Sequence, residues 1–136
     1  MQIAVLGAGS TALANAWFLA RAGHGVRIWS VLEAERRALA SIGRLSAHGI
    51  VNGTVSVTVA PSTKACLDGA SLVIIAAPAF AHEPLMAAAA AHLTAQQDVM
   101  VHPVTGLSSL LLSRMLKSRQ ANNYRRLDQP VHRAQG

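Results

Sequence analysis

The start of the chain joins a short apolar run to a helix-forming segment through a turn of small residues. The turn, residues 7–12, has the pattern Gly-x-Gly-x-x-Ala. The run before it predicts a buried strand and residues 10–22 predict a helix, which is the setting that gives such a turn significance. We interpret Gly7 as the residue that lets the chain leave the strand sharply. Gly9 would let the backbone approach a ligand, and Ala12 would let the helix pack against its strand.

A turn of this kind predicts a binding site for the diphosphate of a dinucleotide. Free N–H groups at the start of the helix, and the positive end of its dipole, would face the anion. The residues expected to bind it are Gly7, Gly9, Ser10, Thr11 and Ala12. A tight turn that binds no ligand is the alternative.

Strand-forming and helix-forming segments alternate at short spacing through most of the chain. Buried strands are predicted at residues 2–6, 26–29, 71–77 and 98–102, with helices at 31–42, 83–93 and 107–117. Residues 49–60 predict either a hairpin or a strand with a bend. The alternation indicates an α/β fold, a doubly wound parallel sheet of the Rossmann type with helices on both faces.

Length and charge divide the chain into a body and a tail. Its 136 residues suit a single domain, and we assign residues 1–116 to dinucleotide binding. Residues 114–136 hold six basic residues and one acidic residue, so most of the formal charge of +6 lies there. Because residues 117–136 are polar and aperiodic, we expect a disordered basic tail. Nucleic-acid binding through this short tail is an alternative that its single aromatic residue disfavours.

The cysteine count and the apolar runs bear on location. The lone Cys66 cannot form an internal disulfide, which fits a reducing cytoplasm. Only Lys64 among its neighbours is basic, so we expect a buried, unreactive thiol. No apolar run reaches the roughly 18 residues that span a bilayer, and no basic segment precedes residues 3–20 as a secretory signal requires. We therefore expect a cytoplasmic protein with no membrane partner.

The end of the second predicted strand is where such a site distinguishes NAD from NADP. An acid there accepts a hydrogen bond from the ribose 2′-hydroxyl and repels a 2′-phosphate. Ser30 stands at that position, and Arg36 and Arg37 follow in the next predicted helix. Because the repelling charge is absent and arginine can bind a phosphate, we predict NADP as the cofactor, with NAD as the alternative. A solvated helix face is the other interpretation of the arginines.

A further candidate segment follows the strand at residues 71–77. Ligands of open α/β sheets bind at the carboxyl ends of strands, and Pro78, Phe80 and His82 lie just beyond this one. Phe80 could cover a ring or fill the core, and His82 could contact ribose or phosphate or cap a helix. Since only His82 and His102 suggest a proton donor, we assign no catalytic residue, and no Cys/His spacing suggests a metal site.

Together these segments resemble the N-terminal domain of the opine (octopine and nopaline) dehydrogenase family. The similarity lies in residues 7–14, in Gly23-His24 before the second strand and, most specifically, in residues 78–82. Glycerol-3-phosphate dehydrogenases and ketopantoate reductases share the first turn. The resemblance covers residues 1–116 and implies an NAD(P)-dependent oxidoreductase that condenses an amino acid reductively with a 2-oxo acid. Family members often carry an acid where Ser30 stands.

The resemblance also implies a second, mostly helical domain that supplies the catalytic histidine and the substrate pocket. No segment of this chain corresponds to that domain, so we expect a truncated cofactor half that binds nucleotide without turning over substrate. A non-catalytic nucleotide-binding or docking module, which could form a homodimer, is the alternative.

Overall fold

A computed structural model describes residues 1–103, 108–118, 124–126 and 131–134. The strands are β1 (Gln2–Leu6), β2 (Gly25–Trp29), β3 (Arg44–Ala47), β4 (Gly53–Ser56), β5 (Thr58–Val59), β6 (Leu72–Ala76), β7 (Asp98–His102), β8 (Tyr124–Arg126) and β9 (Val131–Ala134). The helices are α1 (Ser10–Arg21), α2 (Glu33–Ile42), α3 (Thr63–Leu67), α4 (Ala79–Ala90) and α5 (Ser108–Ser118).

The main sheet has seven strands in the order β5-β2-β1-β6-β7-β9-β8. The first five are parallel to their neighbours, and β9 and β8 are added antiparallel. Since β1 lies between β2 and β6, the chain crosses over in opposite directions from the centre. That arrangement opens a crevice at the carboxyl ends of β1 and β6. The Rossmann-like α/β fold predicted from the sequence is confirmed.

Apolar side chains of the central strands alternate between two cores, one on each face of the sheet. In β1, Ile3 and Val5 pack with α1 and α2, whereas Ala4 and Leu6 pack with α3, α4 and α5. All four side chains are buried, which explains why β1 is a continuous apolar run and not an alternating one. Helices therefore cover both faces, as predicted.

The segment at residues 49–60 is shared between two sheets. β4 pairs antiparallel with β3 in a separate two-stranded sheet, and β5 pairs with β2 at the edge of the main sheet. The hairpin lies on α1, where the Trp17 indole donates to the Gly53 carbonyl at 3.1 Å. The predicted hairpin is therefore met in part by β4, which pairs with β3, and the predicted bend by the change of sheet between β4 and β5.

Two parts of the fold differ from the sequence predictions. α4 begins at Ala79, four residues before the predicted start, because Pro78 serves as its extended N-cap and Pro84 is accommodated inside the helix. β8 and β9 lie in residues 117–136, predicted to be a disordered tail, and extend the sheet beyond β7. Residues 119–123, 127–130 and 135–136 of that segment lie outside the described residues. Pairing with the exposed edge of β7 supplies backbone hydrogen bonds that no local sequence pattern signals.

None of the helices in the described ranges has the length and apolar character needed to cross a membrane. The cytoplasmic location expected from the sequence stays a prediction.

Cys66 lies in α3 and is fully buried in the core beneath β1 and β6. Burial raises the pKa of its thiol to about 12, although the charge of Arg27 lowers it in part. The expectation of a buried thiol is confirmed, and the raised pKa keeps it protonated and weakly nucleophilic.

The raised pKa of Cys66 predicts a loss of stability at alkaline pH. The unfolded thiol has a pKa of about 8.5, so its contribution is complete below that pH and is lost as the pH rises towards about 12. Relative to Cys66→Ala, we expect the native free energy of unfolding to fall by up to about 1.4 kcal/mol per pH unit above about pH 8.5. Urea denaturation at several pH values measures this, and parallel pH profiles for the two proteins would contradict it.

Candidate nucleotide-binding site

The turn after β1 requires glycine at its first position. Gly7 has a φ of 130°, a value that residues with side chains rarely adopt. A Cβ atom placed there would lie 2.1 Å from the carbonyl oxygen of Ala76, at the end of β6. The Gly7 N–H also donates to the Trp29 carbonyl at 2.8 Å. Gly7 thus joins the ends of three neighbouring strands at one point, and its predicted part in the turn is confirmed.

At position 9, in contrast, the fold does not require glycine. Its φ of −78° and ψ of −179° are open to any residue. A Cβ atom there would have no heavy atom within 4 Å. The space over Gly9 is therefore free for a ligand that approaches the backbone closely.

The start of α1 lies directly beyond Gly9. The first helical hydrogen bond at this end runs from the Leu13 N–H to the Gly9 carbonyl at 3.0 Å. The N–H groups of Ser10, Thr11 and Ala12 precede that bond, so no carbonyl within the helix can accept from them. Because the N-cap residue is Gly9, no side chain at the N-cap accepts a hydrogen bond from these N–H groups. Ala12 itself is fully buried, and its methyl group would lie 3.3 Å from a Cβ on Gly7, in agreement with its predicted packing function.

A cleft of about 210 Å³ opens beside this turn. It brings together segments that follow β1, β2 and β6. Its lining consists of Gly7, Ala8, Gly9, Ser30, Val31, Leu32, Glu35, Ala77, Pro78, Phe80, Ala81 and Leu85. Five of the residues predicted to bind the cofactor, Gly7, Gly9, Ser30, Pro78 and Phe80, therefore line one cleft.

The cleft is bounded on the β6 side by the start of α4. Pro78 caps this helix in an extended conformation, so the chain turns away from the sheet there. Phe80 is 86% exposed, so it does not fill the core. Its aromatic face is available to cover a ring bound in the cleft, which was one of the two expectations for it.

At the end of β2, Ser30 is buried and bonded on both sides. Its hydroxyl donates to a carboxylate oxygen of Glu35 and accepts from the Leu32 N–H at 3.2 Å. The Arg36 guanidinium donates to the Ser30 carbonyl at 2.6 Å and lies 5.5 Å from the centre of the Trp29 ring. Arg36 is not among the residues that line the cleft.

Glu35 is the site residue that the sequence analysis missed. It lies in the first turn of α2, and this turn begins at the carboxyl end of β2, where ligands of such sheets bind. The signal was the acidic pair in that turn, Glu33 and Glu35, only one of which can face the cleft. Their spacing of two residues places them on different sides of the helix.

The structure places His82 away from the cleft, unlike the predicted contact with ribose or phosphate. Its side chain is 2% exposed, and it does not line the cleft. Because α4 starts at Ala79, His82 falls on the buried stripe that continues through Leu85, Met86 and Ala89. Its Nε2 lies 2.6 Å from the Ala77 carbonyl oxygen and its Nδ1 lies 2.9 Å from the Ser108 hydroxyl. His82 therefore connects the end of β6 to the start of α5.

Within the described residues, no group of three or more histidine, cysteine, aspartate or glutamate side chains is placed to hold a metal ion. Glu35 is the one ionisable side chain among the described residues that line the cleft. The site therefore consists of backbone donors, an apolar wall and a single carboxylate.

Residues 2–126 match the sequence family described as the N-terminus of NAD-dependent glycerol-3-phosphate dehydrogenase. The chain belongs to this family of NAD-binding dehydrogenase domains. No curated protein sequence matches it.

Solved structures of several dehydrogenases contain the same fold. Octopine dehydrogenase, in complex with NADH and agmatine, matches 89% of this chain with a TM-score of 0.75 and 20% identity. Glycerol-3-phosphate dehydrogenase from Coxiella burnetii matches 86% with a TM-score of 0.67 and 24% identity. A ketopantoate reductase from Ralstonia eutropha matches 87% with a TM-score of 0.67 and 22% identity.

The chain spans only part of each of these proteins, covering 33%, 37% and 38% of their respective lengths. At these identities the likeness establishes the fold. The resemblance to the NAD(P)-binding N-terminal domain of opine dehydrogenases, with relatives in glycerol-3-phosphate dehydrogenases and ketopantoate reductases, is confirmed for the nucleotide-binding domain.

The enclosed position of His82 predicts a structural effect of its removal. His82→Ala leaves the buried Ala77 carbonyl and the Ser108 hydroxyl without this partner, so we expect a loss of about 1–3 kcal/mol in the free energy of unfolding. His92→Ala is the matched control, since His92 is exposed and its loss should change stability by less than about 0.5 kcal/mol. Chemical denaturation measures both, and equal effects would contradict the placement of His82.

Proposed function

We propose that the chain binds a nicotinamide dinucleotide in this cleft, as the cofactor-binding part of an oxidoreductase that condenses an amino acid with a 2-oxo acid. The observation that carries the proposal is Gly9. Neither its dihedral angles nor its surroundings require glycine, whereas a diphosphate in contact with the backbone does.

The parts of the cleft suit the parts of such a cofactor. The N–H groups of Ser10 and Thr11 would donate to the diphosphate, where the dipole of α1 also favours negative charge. Ser30 and Glu35 stand at the position of the adenosine ribose. Pro78 and Phe80 provide an apolar wall beyond the diphosphate. When bound, the nicotinamide ring supplies or accepts a hydride.

Two features at the ribose end support different cofactors. Ser30 lacks the charge that excludes a 2′-phosphate, which is the ground for the predicted preference for NADP. Glu35 places a carboxylate beside Ser30, which supports NAD, as does the NAD-dependent description of the family. Both dinucleotides are therefore compared in the binding experiment.

Two observations bear on the substrate. The resemblance at residues 78–82 supports an opine-forming reaction, and octopine dehydrogenase has structures with NADH and L-arginine and with NADH and pyruvate. The family description supports a second candidate, oxidation of glycerol 3-phosphate. A homodimer, and a role as a non-catalytic nucleotide-binding module, remain predictions from the sequence.

Binding is tested by fluorescence titration of the purified chain with NADH and NADPH in parallel. We expect saturable binding of at least one of them. Gly9→Ala should weaken binding at least tenfold because its methyl group would occupy the space over the backbone. Its thermal midpoint should be unchanged, since that methyl group meets no protein atom within 4 Å.

Gly7→Ala provides the structural contrast to Gly9→Ala. Its Cβ would lie 2.1 Å from the Ala76 carbonyl oxygen, so a loss of at least about 3 kcal/mol in stability is expected. Dinucleotide binding that is as tight in Gly9→Ala as in the native chain would overturn the proposed site, and so would the absence of any binding to the native chain.

The chain alone should not turn over substrate. His82 is enclosed by protein, and the lining carboxylate of Glu35 lies at the ribose end, so the described part of the cleft offers no side chain to exchange a substrate proton. With NADH, pyruvate and L-arginine present, we expect the absorbance of NADH to stay constant. Adding octopine dehydrogenase as a positive control should make that absorbance fall. Steady oxidation of NADH by the chain alone would contradict this prediction.

A further inference from the structure

The carboxylate missing from the end of β2 is supplied by the next helix. Ser30 occupies the position where an acid would accept from the adenosine ribose. The Ser30 hydroxyl donates to Glu35 Oε2, so that carboxylate lies within one hydrogen bond of the position. Glu35 also lines the same cleft as Gly7 and Gly9. Glu35 lies five positions after Ser30 in the sequence, and the start of α2 brings the two side chains together.

The orientation of this carboxylate is set by Ser30. The serine side chain is 2% exposed, and its oxygen both accepts from the Leu32 N–H and donates to Glu35. A serine fixed in this way holds one carboxylate oxygen of Glu35 in place. Because a carboxylate has about four acceptor positions, the other oxygen can still accept hydrogen bonds from a ligand.

Neither of the arginines that could attract a 2′-phosphate, Arg36 and Arg37, lines the cleft. Arg36 donates to the Ser30 carbonyl at 2.6 Å and lies over the Trp29 ring. Arg37 pairs with Glu33 at 2.5 Å on the exposed side of α2. Among the described residues no ion pair involves Glu35. The carboxylate of Glu35 therefore presents a negative charge, with no ion-pair partner, at the position that a 2′-phosphate would occupy.

We propose that Glu35 is the residue that determines dinucleotide specificity, accepting from the ribose 2′-hydroxyl and repelling a 2′-phosphate, so that the chain prefers NAD(H) to NADP(H). This inference rests on the proposed dinucleotide site and replaces the preference for NADP predicted from Ser30. A carboxylate that both accepts from a diol and repels a phosphate discriminates by attraction and by repulsion.

The native chain provides the first test. NADH should bind at least tenfold more tightly than NADPH in parallel fluorescence titrations. The adenosine fragments should follow the same order, with 5′-AMP displacing bound dinucleotide at lower concentration than 2′,5′-ADP, which differs from it by the 2′-phosphate alone. Since the comparison uses one protein, it does not depend on the folding of a variant.

The second test removes the charge at Glu35. Glu35→Gln keeps an oxygen that can accept from Ser30, so the fold should be retained. NADPH binding should strengthen and NADH binding should weaken, lowering the ratio of NADPH to NADH dissociation constants at least tenfold. Glu33→Gln is the matched control, because it makes the same charge change two residues away on the exposed, arginine-paired side of α2. It should change that ratio less than twofold.

Each outcome separates the two proposals. Equal or tighter binding of NADPH by the native chain would overturn the assignment of Glu35 and leave the dinucleotide site intact. Equal shifts in Glu35→Gln and Glu33→Gln would do the same, since they would indicate a general charge effect. Binding of neither dinucleotide would overturn the proposed function, and the assignment of Glu35 with it.

Discussion

The close approach of two backbones at Gly7 positions the rest of the site. The turn after β1 passes over the carbonyl of Ala76, at the end of β6, so closely that no Cβ atom fits between them. Because the Gly7 N–H also bonds to the Trp29 carbonyl, the carboxyl ends of β2, β1 and β6 meet in one small region. The start of α1 then stands over the crevice between them. Its first N–H groups have no acceptor within the helix, which is the arrangement that suits an anion.

The two ends of the cleft are organised by different interactions. At the end of the cleft beside β2, Ser30 holds the carboxylate of Glu35, and Arg36 donates to the Ser30 carbonyl and lies over the Trp29 ring. At the other end, His82 is buried and joins the Ala77 carbonyl to α5. The first arrangement exposes a charged group to the cleft. The second removes a titratable ring from it and uses that ring as a structural link.

Much of the fold could be predicted from the sequence because the central strands are buried on both faces. Runs such as residues 2–6 and 71–77 must be continuous and apolar, so they stand out without any knowledge of their partners. The turn after β1 was predictable for a similar reason at Gly7, whose φ of 130° favours glycine. Five of the predicted binding residues line one cleft, and Ala12 supports it from below.

The differences from the sequence predictions arise where tertiary contacts outweigh local preference. The start of α4 at Ala79 rotates His82 onto the buried stripe of the helix, although its place after a strand suggested a ligand contact. β8 and β9 are polar segments whose pairing depends on the unpaired edge of β7. Glu35 was overlooked because its importance lies in its distance to Ser30 in space, which the sequence spacing of five residues does not express.

The sequence by itself determined the class of fold and the turn that contains Gly7 and Gly9. It also determined where along the chain the strands of the parallel sheet occur. These features follow from burial and from backbone geometry, both of which act on neighbouring residues. The tertiary structure alone decided which polar side chains face the cleft, because that depends on where a helix starts and how it is rotated. Successive residues of a helix are turned by about 100° from one another, so the start of α4 at Ala79 places His82 on the buried face of that helix, and the start of α2 brings Glu35 beside Ser30.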